Sequence, residues 1–129
     1  MNFSEKSREE MLKSMDSMFS GKTNPLLLAA IKKFLPDLHF APVVKWIPEQ
    51  AEDIYWIMID VSHIAMIEIP RHSIKLTDIE IEIIGVKEYK KQSTSKESRR
   101  KLETAINLMN ENSRKITNNA NNKQTDSKH

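Results

Sequence analysis

Asp78-Ile79-Glu80-Ile81-Glu82-Ile83 alternates carboxylate and isoleucine through six positions. Strand side chains change face at every residue, so this spacing predicts an extended segment with Asp78, Glu80 and Glu82 toward solvent and the isoleucines inward. An outward ladder of carboxylates repels itself unless it is solvated or met by cations.

The segment sits at the end of an apolar, β-branched region. Ile54 to Ile59 and Ile64 to Ile69 flank Asp60-Val61-Ser62-His63, a hairpin pattern whose connection lacks the Asn-Gly pair of the tightest turns. Ile54, Trp56 and Met58 alternate with Tyr55, Ile57 and Ile59, so the first run reads as a central strand covered on both faces. Upstream, Phe40 to Ile47 reads as an irregular edge strand, because Pro42 and Pro48 cannot donate to a ladder. Glu49 to Asp53 reads as a polar turn and Arg71 to Thr77 as a loop. The strand begun at Asp78 is expected to run to about Tyr89, with Gly85 marking a bulge, and Glu68 is expected to join the acids across the sheet.

Helical spacing brackets these strands. Met11, Leu12, Met15, Met18 and Phe19 recur at three and four residues after a cap at Ser4 or Ser7, and Gly21 ends the run. Pro25 opens a second helix with Leu27, Leu28, Ile31, Phe34 and Leu35 on one side, stopped by Pro36. Thr94 with Glu97 fits a capping box, after which Leu102, Ala105, Ile106, Met109 and Ile116 form an inward stripe. The expected architecture is α+β: an N-terminal helical hairpin, an antiparallel sheet of three to four strands, a C-terminal helix and a disordered tail. Residues 1–116 form one domain on this reading, and 117–129 form a polar tail. Trp46 and Trp56 are expected in the core, as large aromatic side chains in a chain with only 6% aromatics.

The 129 residues contain no cysteine, which removes disulfides, thiolate nucleophiles and thiolate metal sites. Only two glycines are present, too few for a dinucleotide fingerprint or a P-loop. His39, His63, His72 and His129 show no pairing at metal-ligand spacing, so no metal and no cofactor is expected. Asp60, Ser62 and His63 share a tight turn, where a catalytic relay with an oxyanion hole cannot be built. The expectation is a protein that is not an enzyme. Its N-terminus lacks an apolar signal region and no apolar run reaches bilayer length, which points to a cytoplasmic location.

Charge divides the chain. Residues 1–86 carry 9 Lys/Arg against 13 Asp/Glu, and residues 87–129 carry 11 against 5. Two candidate surfaces follow. Glu68, Asp78, Glu80 and Glu82 form an acidic sheet face suited to a basic protein. Lys96, Arg99, Arg100 and Lys101 crowd the opening turns of the last helix, where cations oppose the macrodipole and an external phosphate would relieve them. In size and composition, with no shared motif, the profile resembles the small immunity proteins that bacteria use against toxins, and some phage or plasmid accessory proteins. That resemblance implies a protein-binding module, an antitoxin-type inhibitor that occludes a basic toxin or nuclease surface. The alternatives are a nucleic-acid-binding accessory protein using the basic helix, and an oligomerising scaffold pairing through Phe40 to Ile47.

Overall fold

Asn24, Pro25 and Gly21 shape the beginning of the fold as their chemistry dictates. The computed structural model describes residues 3–48, 51–72 and 75–127, with side chains described over 5–115. Helix α1 spans Phe3–Phe19 and buries Met11, Met15 and Met18. It ends where Gly21 takes φ +79°, a left-handed conformation that L side chains rarely adopt. Helix α2, Pro25–Phe34, is capped by the Asn24 side chain, whose oxygen accepts the Leu26 N–H at 3.0 Å. It stops as the Leu35 N–H bonds to the Ile31 carbonyl, one residue short of Pro36. One expectation differs: α1 already includes Ser4 and Ser7, so neither begins it.

Strands β1 (Val43–Pro48), β2 (Glu52–Met58), β3 (His63–Pro70) and β4 (Glu80–Gly85) form an antiparallel meander in sequence order. The β2–β3 turn is held by Asp60, whose carboxylate accepts the Ser62 N–H at 2.7 Å and meets the His63 ring at 3.0 Å. Partial burial would raise the Asp60 pKa. Hydrogen bonds from Ser62 and His63 outweigh it and hold the carboxyl below its usual value. The edge strand β1 is irregular as its prolines require: its register shifts between Val43 and Lys45, and Pro42 precedes it with a carbonyl that accepts the Met58 N–H. The polar turn expected over Glu49–Asp53 falls partly outside the described residues, and Glu52 and Asp53 belong to β2. Residues 73 and 74 of the expected Arg71–Thr77 loop also lie outside them.

The strand expected from Asp78 to Tyr89 divides into three elements. Leu76–Asp78 forms a single 3₁₀ turn, β4 follows, and Val86–Gln92 is helix α3. Gly85 is the extended residue before α3 rather than a bulge. Burial explains the switch: Tyr89 is only 3% exposed, and Val86 packs against the same cluster three residues earlier, while Lys87, Glu88, Lys90 and Lys91 stay in solvent. Helix α4 then runs Lys96–Ser127. Its cap is Ser95 instead of Thr94, with Ser95 Oγ accepting the Ser98 N–H at 3.1 Å. The α4 backbone is described as far as Ser127, and residues 128 and 129 lie outside the described ones.

The two sheet faces carry separate clusters. On one, Met18, Leu27, Ala30 and Ile31 pack with Tyr55, Ile57, Ala65, Ile67, Ile69 and Ile79. On the other, Leu102, Ala105, Leu108 and Met109 of α4 pack with Met11, Tyr89, Val44, Met58 and Ile64. Helix α1 therefore serves both layers and joins α4 through Arg8–Glu111 as well as meeting α2. The second cover is incomplete, since Ile54 and Trp56 are only half-buried on β2. Trp46 also departs from expectation: on the edge strand it is 55% exposed, stacked on Tyr55 at 6.2 Å between ring centres. Among the described residues no helix is long and apolar enough to cross a membrane.

Candidate protein-binding face

Cross-strand register decides which side chains meet. Ile54 stands opposite Glu68, and Glu68 opposite Glu80; in the next row Trp56 stands opposite Met66, and Met66 opposite Glu82. A third row, Met58, Ile64 and Ile84, belongs to the cluster under α4. Helix α4 thus covers one end of this sheet face. The other end remains a surface of carboxylates around Ile54, Met66 and Trp56, all half-buried, with Trp56 also packed against the edge of that cluster.

Three of the four acids expected there are brought together: Glu68, Glu80 and Glu82. Asp78 is not among them. It lies in the 3₁₀ turn before β4, outside the β3–β4 ladder that ends at Glu80. The reason is the start of the strand: Ile79 is buried directly after the turn, so the alternation of isoleucines survives while the carboxylate in front is taken from the sheet. A residue missed from the sequence replaces it. Glu52 opens β2 two positions before Ile54, on the same face, and its charge acts on Glu68. Hairpin register contained that signal, but assigning Glu52 to a turn hid it.

Glu68 records the consequence. Its pKa is raised above the usual carboxylate value, first by desolvation, then by the charges of Glu52 and Glu80, a hydrogen bond with Glu80, and the charge of Glu82. No lysine or arginine forms an ion pair with Glu68, Glu80 or Glu82 among the described residues. A cation on this face is Lys45, whose ammonium lies 5.0 Å from the centre of the Trp56 ring. The arrangement offers several acceptors beside a half-open aromatic and thioether surface. It suits contact with cations and apolar side chains together.

Three of the four basic candidates stay together. Lys96, Arg100 and Lys101 line a cavity of about 390 Å³ between α1 and α4, with Lys6 and Ser7. Glu10 and Glu97 share its lining, and Lys101 pairs with Glu97 at 3.7 Å. Arg99 turns away, its Nε donating to the Ser93 carbonyl at the end of α3. Lys6 was absent from the sequence-based set because only the packing of α1 on α4 brings it near.

Of the histidines, His63 completes the Asp60 turn, His39 and His72 are exposed, and His129 lies outside the described residues. Asp60 bonds the backbone of Ser62, a turn geometry with no relay to the hydroxyl. No cluster of three or more His, Asp or Glu suited to a metal occurs among the described residues. No family model, no curated protein and no solved structure matches this chain.

Proposed function

We propose that the protein is a non-enzymatic, cytoplasmic inhibitor of the immunity type, which covers a basic surface of a toxin or nuclease with the open end of its sheet. The observation that carries this reading is Glu68 directly opposite Glu80, with Glu52 and Glu82 beside them and no lysine or arginine ion-paired to Glu68, Glu80 or Glu82 among the described residues. Like charges placed across a ladder destabilise the free protein. A cationic partner turns that repulsion into attraction, speeds encounter and rejects acidic competitors. Trp56, Met66 and Ile54 supply the apolar centre from which most interface energy derives.

Glu80 and Glu82 are exposed, so reversing both to lysine leaves the core intact. Immobilised wild-type protein is expected to retain a basic protein from an extract of its source cells and to inhibit it once purified. The Glu80→Lys/Glu82→Lys variant should lose that affinity by about a hundredfold or more, as for truncated hot spots. Equal retention by both proteins would end the reading. The α1–α4 cavity supports a second reading, contact with a nucleic-acid backbone through Lys6, Lys96, Arg100 and Lys101. Two acids in its lining and the diversion of Arg99 leave it the weaker one. A titration with duplex DNA tests it: phosphate contact requires a steep loss of affinity with salt, and no binding at low salt excludes it.

A further inference from the structure

We infer that the outer edge of β4 is the docking element of the acidic face, and that it accepts an extended segment of the partner in which basic and apolar residues alternate. The segment adds as a fifth strand, its cations against Glu80 and Glu82 and its apolar side chains over Ile81 and Ile83. This rests on the inhibitor reading and specifies how the partner is held.

Among the described residues, strand β4 ends the sheet and pairs only with β3. An antiparallel pair uses the backbone groups of alternate residues, so the others in β4 point away from the sheet. No backbone hydrogen bond reaches them from any described residue. The opposite edge is managed differently. Helices α1 and α4 pack on β1, its register is broken at Val43–Lys45, Pro42 precedes it and Pro48 is its last residue. Strand β4 has no proline, no lysine and no register shift.

Its two faces state what the added strand must carry. Ile79 is buried, Ile81 is half-buried and Ile83 is 47% exposed, so the cover over this apolar row fades along the strand. An apolar residue placed beside Ile83 restores it. On the reverse face, Glu80 and Glu82 require cations at the adjoining positions. A second copy of the chain does not satisfy the pattern, because pairing β4 with itself lays Glu80 and Glu82 of both copies on one face. A Lys- or Arg-containing strand removes both liabilities at once, with main-chain bonds for affinity and alternate side chains for specificity.

The probe is a short synthetic peptide of alternating lysine and valine, titrated into the full chain with amide hydrogen exchange followed at β4. Two controls have the same composition: one with lysines and valines in blocks, one N-methylated at alternate amides. The alternating peptide is expected to bind and to protect outward-facing β4 amides, with both controls weaker by about tenfold or more. Ile83→Lys, at a site exposed enough to keep the fold, is expected to weaken it to a similar degree. Equal binding of alternating and block peptides, abolished by Glu80→Lys/Glu82→Lys, would overturn strand addition and leave the acidic-face reading standing. Binding of the alternating peptide that ignores the double reversal would remove the acidic-face reading itself. No peptide binding, or protection of β4 amides in a dimer of the chain alone, would also overturn strand addition.

Discussion

Glu68 is under electrostatic tension in the free protein, from desolvation and from the charges of Glu52, Glu80 and Glu82. Because its carboxyl titrates above the ordinary value, the native state holds a proton through a pH window in which the unfolded chain has released it. More protons bound in the native state means that stability falls as pH rises from the usual carboxylate pKa through the elevated one. It is regained on acidification through the same window. Glu68→Gln removes the charge, so at neutral pH the variant is expected to be the more stable by up to about 1 kcal/mol, the size of a cross-strand like-charge term. The gap should close once both proteins are below about pH 4. Urea unfolding at the two pH values measures it, and a variant less stable at neutral pH would contradict the tension. Alternation in the sequence was enough to set Glu80 and Glu82 on one face. It was not enough to exclude Asp78, whose neighbour Ile79 is buried after a turn, or to include Glu52, which depends on hairpin register. Trp46 was misread for a similar reason: apolar character states a preference for the interior, while its position on the edge strand left it outside.

Among elements, those with chemically distinctive ends were legible. Asn24 with Pro25, Gly21, and Pro36 each act within a few residues, and they bound α1 and α2 as their local physics requires. The stretch after Gly85 had no such marker. Valine and tyrosine favour strands in isolation, but Val86 and Tyr89 share one helical face, and burial under α4 selected helix α3. The start of α4 was offset by a single residue, since Thr94 and Ser95 are both competent caps and only geometry separates them. Ser95→Ala is expected to cost about 1 kcal/mol by loss of the bond to the Ser98 N–H, whereas Thr94→Ala should be near neutral. Thermal unfolding of the two variants compares them. A larger cost at Thr94 would place the cap where the sequence pattern had it.

At the scale of the molecule, one sheet is shared by two apolar clusters, so neither layer can persist without the other. Ile67 lies wholly buried on the α2 side and Ile64 wholly buried on the α4 side, three positions apart on β3. Truncating either to alanine is expected to cost about 2–5 kcal/mol. Both variants should unfold in a single step in which tryptophan fluorescence and helicity change together. Separate transitions would show that the layers are independent. Strand periodicity, helix caps and composition lie within a few residues of each other, and they sufficed for the α+β class, the antiparallel strands though not their order, α1 and α2, and the acidic side of β4. The meeting of Glu52, Glu68, Glu80 and Glu82, the gathering of Lys6 with Lys96, Arg100 and Lys101, and the open edge at Ile83 required contacts between residues far apart in the chain. Those contacts form only when the sheet takes its register and the helices choose their faces, and that choice is made by burial summed over the whole fold.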